Sequence, residues 1–233
     1  MIPLRALLRR NNPATMTIAI ILANAAVFLW ELMLTPYHQN VGLLGFLWEL
    51  FHAPQLQNAF VLHYAMVPDH LRFTSLLTSM FLHASWLHLI SNMWFLWVFG
   101  SHIEDVMGSA RFLLFYLCCG IASGLVQLAT TLHSPVPTLG ASGAIAGVMG
   151  AFLVLYPRIR VNTLIFIFVF VTIIEIPAAF ILIYWFVIQL VSGFFSSGNF
   201  NDAGGTAWFA HIGGFLTGLL LIRLFPNTRR YFY

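Results

Sequence analysis

The chain contains very little charge and no lysine. Charged residues make up 7% of its 233 positions and hydrophobic residues 60%, whereas soluble domains carry roughly 25% charged residues. This composition excludes a soluble globular protein and predicts one integral membrane domain. All ten basic residues are arginine, which excludes a Ser–Lys catalytic pair. Because the arginines do not cluster on a soluble face, we expect no nucleic-acid partner.

Other reactive groups are also scarce. Cys118 and Cys119 are adjacent within an apolar run, and we expect them to be small buried residues rather than a disulfide. The aspartates, Asp69, Asp105 and Asp202, all fall near predicted loops, so the paired intramembrane aspartates of an aspartyl protease are missing. The chain has no His-Glu-x-x-His motif, and we therefore expect no catalytic metal and no cofactor.

Long apolar runs predict an all-α membrane protein with six spanning helices, since a span needs about 20 mostly apolar residues. The predicted spans are 14–34, 84–103, 111–131, 142–157, one crossing within 161–195, and 207–225. Residues 35–82 are predicted to form a large first loop, partly embedded in the membrane, with two amphipathic patches at Val41–Phe51 and Ala59–Met66.

The apolar run 161–195 leaves two possibilities open. It is interrupted by Glu175 and Pro177, and it is long enough for one span with an interfacial piece or for two short spans. A single crossing lets the helices that begin near Ser142 and His211 run in the same direction, so that these two residues can meet. The chemistry of this pair therefore favours six spans.

The distribution of arginine supports the same count independently. With six spans, every arginine except Arg72 falls on one side of the membrane, and the positive-inside rule makes that side the cytoplasm. We therefore expect residues 1–13 and 226–233 to be cytoplasmic segments that flank a catalytic domain at 14–225.

Gly140-Ala141-Ser142-Gly143 is the most suggestive motif in the chain. Ser142 begins a predicted helix, where backbone N–H groups without a helical partner suit a developing oxyanion. His211 lies inside the last predicted span. An ionisable residue in a span is a functional candidate by default, and histidine suits a general base near neutral pH.

Small residues predict how these two groups meet. Gly140, Gly143, Gly147 and Gly150 share one face of the fourth predicted span, and His211, Gly214 and Gly218 share one face of the sixth. Small residues let helix backbones approach closely in a membrane. We therefore expect the two faces to pack together and to bring His211 to Ser142.

A second polar group lies at the same expected depth. His88 and Asn92 are four residues apart on one helical face, and both can donate hydrogen bonds to an oxyanion. His83 lies in the turn before them. A metal site is the alternative for this cluster, but no carboxylate lies between the two histidines, and their spacing is not that of the zinc motif.

Together these motifs resemble the rhomboid family of intramembrane serine proteases. The resemblance covers about residues 15–225 and rests on His83-x₄-His88-x₃-Asn92, Gly140-x-Ser142-Gly143 and Ala210-His211-x₂-Gly214-x₃-Gly218. It implies a Ser142–His211 dyad without a third acid. It also implies an oxyanion hole made by His88, Asn92 and the backbone N–H of Ser142.

The resemblance implies further roles, and the chain also departs from the family pattern. His83 and Gln127 would support the site, and residues 193–206 would form a mobile cap over it. Some members carry, one turn after the serine, a tyrosine whose ring supports the histidine, whereas this chain has Ala146 there. Trp208 and Phe209 are the candidates that we expect to pack on His211 instead.

The resemblance also implies the function and the setting. We expect a serine endopeptidase of the minimal bacterial type that cuts transmembrane protein substrates within the lipid bilayer, near the outer leaflet. We expect it to lie in a bacterial or archaeal cell membrane as a monomer or weak homo-oligomer. The alternatives are a non-catalytic rhomboid-like protein that binds membrane clients and a channel or transporter; the second predicts a repeat, which the sequence does not show.

Overall fold

The computed structural model describes residues 1–34, 59–167, 170–196 and 206–225. The predicted amphipathic patch Val41–Phe51, most of the predicted cap and the predicted C-terminal segment lie outside these residues. The described chain is mostly helical, with one small sheet.

Nine α-helices occur among the described residues. In chain order they are α1 (Thr15–Leu34), α2 (Ala59–Tyr64), α3 (Ser75–Thr78), α4 (Trp86–Phe95), α5 (Ser101–Met107), α6 (Ser109–Thr130), α7 (Ser142–Leu155), α8 (Ala178–Ser196) and α9 (Trp208–Leu221). A π-helical turn, Leu96–Gly100, joins α4 to α5, and 3₁₀ turns cover Pro68–His70, Ser79–Phe81 and Ile222–Leu224.

The helix boundaries lie close to the predicted spans. Within the described ranges, α1, α6 and α8 are long and apolar enough to cross a membrane, while α7 and α9 are shorter apolar helices. The second predicted span corresponds to α4, the π-helical turn and α5. The six-span count itself stays a prediction.

The prediction of an all-α chain is wrong at the N-terminus and at residues 160–177. The strands β2 (Arg160–Ile167) and β3 (Phe170–Pro177) form an antiparallel hairpin, and β1 (Ile2–Ala6) pairs with the other edge of β2. This stretch is rich in valine, isoleucine and threonine, whose β-branched side chains favour strands. The run 161–195 therefore holds a hairpin followed by one long helix.

Helix α7 lies at the centre of the bundle, where every residue from Gly143 to Phe152 is buried. A Cβ added to Gly214 would overlap the carbonyl oxygen of Gly143, and one added to Gly218 would overlap that of Gly147. The backbones of α7 and α9 are thus in direct contact, which confirms the predicted packing of the two glycine faces.

The segment before α7 is held by the first loop. The backbone N–H of Gly140 donates to the carbonyl of Ser79 at 2.8 Å, and Met66 and Thr138 exchange two backbone hydrogen bonds of 3.0 and 2.8 Å. These bonds fix the backbone that leads into Ser142.

The opposite end of the bundle is held by Glu104. Its carboxylate accepts hydrogen bonds from the backbone N–H groups of Met16 and Thr17, both at 2.8 Å, and from the Thr17 hydroxyl at 2.7 Å. A carboxylate at a helix N-terminus pairs the N–H groups that the first turn leaves without partners. Glu104 thereby ties α1 to α5.

Candidate active site

Ser142 and His211 form a hydrogen-bonded pair. The Oγ atom of Ser142 lies 2.8 Å from Nε2 of His211. Ser142 is the first residue of α7, His211 lies in the first turn of α9, and both residues are half-buried. A hydroxyl at this distance from a ring nitrogen has the geometry of a nucleophile beside its general base.

The glycines explain why this contact forms. Besides the approach of α7 to α9 at Gly214 and Gly218, a Cβ on Gly143 would overlap Oγ of Ser123 on α6. The lack of a side chain at Gly143 thus lets α6 pack next to Ser142. These three glycines act by packing and carry no functional group of their own, as the sequence predicted.

His88 and Asn92 converge on Gly140, two residues before Ser142. Gly140 has a φ of +119°, and a Cβ added there would lie 2.7 Å from Nε2 of His88 and 3.7 Å from Nδ2 of Asn92. Only glycine adopts this φ without strain, and only a residue without a side chain leaves room for the imidazole.

His88 and Asn92 each direct a hydrogen-bond donor toward Gly140. Asn92 is 7% exposed, and its Nδ2 has no hydrogen-bond partner among the described residues. Nδ1 of His88 accepts a long, 3.5 Å hydrogen bond from the backbone N–H of Ala84. The ring proton then belongs on Nε2, the nitrogen that faces Gly140.

His83 supports this cluster by packing. Its ring is fully buried and meets the ring of His88 edge to face, with centroids 5.1 Å apart. Its backbone N–H lies 3.4 Å from Oε2 of Glu31. Among the described residues, no group of three His, Cys, Asp or Glu side chains could hold a metal ion.

Gln127 on α6 contacts the segment that carries His211. Its Oε1 accepts a 3.0 Å hydrogen bond from the backbone N–H of Ala210, the residue before His211. This N–H belongs to the first turn of α9, where it has no helical partner. Gln127 therefore fixes the start of α9 against α6.

Sequence reasoning missed two contacts of the candidate base, both from α8. Gln189 on α8 places Oε1 2.7 Å from Nδ1 of His211, and Trp185 on the same helix places its ring 5.7 Å from the imidazole. Trp208, a predicted neighbour, also contacts the ring edge to face at 6.3 Å. The available signal was a lone amide in a strongly apolar helix, which is a candidate functional residue in a membrane.

A small cavity of about 30 Å³ lies beside Ser142. Small side chains and glycines make up much of its lining, among them Gly120, Ser123, Gly124, Gly140, Gly143 and Ala144. The space next to the hydroxyl is therefore narrow and suits a small group.

The chain is similar in sequence to known proteins. The sequence profile of the rhomboid domain matches residues 70–227, a range that includes every residue of the site described above except Glu31. The chain belongs to the rhomboid family. It is therefore an integral membrane protein of a family whose members are mostly intramembrane serine proteases, although some rhomboid relatives are pseudoproteases.

Rhomboid relatives occur in bacteria and in mitochondria. The rhomboid protease GluP of Bacillus subtilis is 46% identical over 78 residues, which cover 34% of this chain and 15% of the relative. The mitochondrial rhomboid protein 1 of Saccharomyces cerevisiae is 31% identical over 150 residues, or 63% of this chain and 40% of the relative. The human presenilin-associated rhomboid-like protein, also mitochondrial, is 38% identical over 89 residues, or 36% of this chain and 23% of the relative. The matches thus span less than half of each relative.

Proposed function

We propose that this rhomboid protein is an active serine endopeptidase that cuts peptide bonds of transmembrane substrates. The observation that carries the proposal is the 2.8 Å contact between Oγ of Ser142 and Nε2 of His211. A non-catalytic relative that binds membrane clients is the alternative. The presence of both reactive side chains in bonding geometry favours the protease, because a client-binding protein has no need to keep this pair in contact.

In the proposed reaction, Nε2 of His211 takes the proton of Ser142 while Oγ bonds to the carbonyl carbon of the scissile peptide. The tetrahedral intermediate collapses, the C–N bond breaks, and the leaving amine takes that proton from His211. Water, which gives a proton to Nε2 of His211, then bonds to the acyl carbon on Ser142. The bond between that carbon and Oγ breaks, and Oγ takes the proton back from His211. One water is consumed, and a carboxylic acid and an amine are released.

The negative charge on the former carbonyl oxygen needs donors close to Ser142. Nε2 of His88 and Nδ2 of Asn92 converge on Gly140, and the backbone N–H of Ser142 lies at the N-terminus of α7. We propose that these three donors form the oxyanion hole, because preorganised donors in a site with little water stabilise the developing charge strongly.

We also propose a membrane topology for the chain. Six spans with both termini in the cytoplasm agree with the arginine distribution, and they put the N-termini of α4, α7 and α9 on the outer side, where the site then opens. We propose a bacterial or archaeal cell membrane and a monomer or weak homo-oligomer. The relative from Bacillus subtilis supports a bacterial setting.

The substrate class follows from the surroundings of Ser142. The N–H and C=O groups of a spanning helix are hydrogen-bonded within the helix. Breaking these hydrogen bonds in the membrane, so that a peptide bond can enter the site, is costly. Substrates should therefore carry glycine, proline or polar residues near the cut. The narrow cavity beside Ser142 supports a small residue just before it.

The protein itself, reconstituted in liposomes with a single-span model substrate, tests this function. We expect two fragments whose termini, read by mass spectrometry, follow a small residue in the outer part of the substrate span. We also expect a fluorophosphonate probe to form an adduct on the peptide that contains Ser142. An uncut substrate together with an unlabelled protein would support the client-binding alternative, and an adduct on a different serine would contradict the nucleophile assignment.

Replacing Asn92 with leucine tests the oxyanion hole. The change removes a buried donor at nearly constant volume, and we expect kcat to fall roughly 10²- to 10³-fold with little change in KM. Ser91→Ala is the matched control, because the Ser91 side chain is exposed and donates to the carbonyl of His88 within its own helix. A rise in KM with kcat preserved would show that Asn92 binds substrate rather than the transition state.

A further inference from the structure

Gln189 is an unusual residue for its position. It lies on α8, a helix whose neighbouring residues Val187, Ile188 and Leu190 are exposed apolar side chains, yet Gln189 itself is 4% exposed. Burying an amide is costly unless its polar atoms are paired. Both ends of this amide are paired, and one of the partners is His211.

The hydrogen bonds fix which way the amide points. Nε2 of Gln189 donates to the backbone carbonyl of Trp185 at 3.2 Å. A carbonyl oxygen can only accept, so the amide nitrogen must face Trp185 and Oε1 must face His211. The backbone of α8 therefore sets the orientation of the side chain.

This orientation selects the tautomer of His211. Oε1 of Gln189 can only accept, so at 2.7 Å the ring proton must lie on Nδ1. Nε2 then carries the lone pair, and it faces the hydroxyl of Ser142 at 2.8 Å. In the other tautomer, Nε2 would carry a proton and could not accept one from Ser142.

Aromatic rings from α8 and α9 also hold the imidazole in place. Ala146, one turn after Ser142, offers only a buried methyl group. Trp185 instead places its ring 5.7 Å from the imidazole at 38°, and Trp208 meets the ring at 90° from the side. Two aromatic rings and one amide therefore constrain the position of His211.

We propose that Gln189 is a positioning residue for His211 in the proposed Ser142–His211 pair. This inference rests on the proposed protease function. Gln189 acts through His211 and has no contact with the reacting bond. Trp185 assists it by supplying the carbonyl that orients the amide and the ring that packs on the imidazole.

Two substitutions separate this role from a structural one. Gln189→Met keeps the length and volume of the side chain but replaces the amide oxygen with a thioether sulfur, which is only a weak acceptor for Nδ1–H. Gln189→Glu keeps an oxygen that accepts from His211 and, in its protonated form, an O–H that donates to the Trp185 carbonyl. Ile188→Met is the matched control, since it adds a thioether to the exposed face of the same helix.

The measurements are kcat and KM for the model substrate, the rate of fluorophosphonate labelling, and the temperature of unfolding in detergent. For Gln189→Met we expect kcat and the labelling rate to fall roughly 10- to 100-fold, because a buried donor loses its partner and the wrong tautomer becomes populated. KM should stay close to that of the wild type, and the unfolding temperature should fall by no more than the cost of one unpaired buried donor. Gln189→Glu should restore both rates to within a few-fold, and Ile188→Met should change neither.

Three outcomes would overturn the proposal, and each can be recognised. Wild-type rates in Gln189→Met would show that the contact has no effect on the base. Equal losses in the methionine and glutamate variants, together with earlier unfolding, would assign Gln189 a structural role. A wild-type protein that neither cuts nor labels would remove the proposed function itself, and this inference with it.

Discussion

Replacing Ser142 with alanine is expected to slow substrate cleavage by about 10³- to 10⁶-fold, and replacing His211 with alanine by a similar factor. Oγ of Ser142 and Nε2 of His211 are 2.8 Å apart, and neither group has a use in peptide hydrolysis without the other. Because the two act as one unit, the double variant should be no slower than the slower single variant. Initial rates in liposomes and the loss of fluorophosphonate labelling measure the effect.

Matched substitutions separate this result from damage to the fold. His133→Ala removes an exposed imidazole from a loop, and Ser91→Ala removes an exposed hydroxyl; both should keep wild-type rates and labelling. Losses that multiply in the double variant would mean that the serine and the histidine act independently, and the pair would then have no shared proton transfer.

The second large effect is expected for Gly218→Ala. The added methyl group would overlap the backbone carbonyl of Gly147 on α7, and a backbone cannot move aside as a flexible side chain can. Helix α9 must shift away from α7, and Gly218 lies two turns after His211 on the same face. We expect a loss of about 3 kcal/mol or more in stability and at least a hundredfold slower cleavage, since small misplacements of catalytic groups are costly.

Gly193→Ala on α8 is the corresponding control. A Cβ at Gly193 would meet only side-chain atoms, the nearest 3.3 Å away, so we expect a small change in the unfolding temperature and in the rate. If Gly218→Ala unfolded and cleaved like the wild type, the close contact of α7 with α9 would not be what holds His211 beside Ser142.

The part of the site that could be predicted depends on regular helical spacing. Glycines three or four residues apart lie on one helical face whatever their surroundings, so the approach of His211 to Ser142 followed from the positions of Gly143, Gly214 and Gly218. In the same way, the four-residue spacing of His88 and Asn92 predicted that the two side chains lie on one helical face. The structure brings these groups together, while their catalytic roles stay a proposal.

Gln189 was missed for a related reason. The sequence places an amide on an apolar helix, but the rotation of α8 about its axis decides whether that amide faces lipid or His211. That rotation depends on packing against α9, which no spacing within α8 encodes. The sequence showed that Ala146 replaces the tyrosine that supports the histidine in some family members. It did not show that Trp185 on α8 packs on His211 instead.

The hairpin was missed because hydropathy alone does not separate a strand from a short helix. Val161, Thr163 and Ile165 alternate with other residues along β2, and this density of β-branched side chains was the signal for strands. The pairing of β1 with β2 could not be anticipated, because it joins segments that lie far apart in the chain.

The pairing of β1 with β2 sets an order for folding during synthesis. Ile2 pairs with Leu164 and Ala6 with Val161, so β1 is synthesised early but has no partner until α7 has been completed. Closing so long a loop is entropically unfavourable until other contacts have brought its ends together. The indole N–H of Trp94 donates to the carbonyl of Pro3 at 2.6 Å. Because Trp94 is synthesised before β2, this hydrogen bond can hold β1 near the bundle before the sheet forms. A chemical cross-link between positions 2 and 164 would therefore report how late in biogenesis the bundle closes.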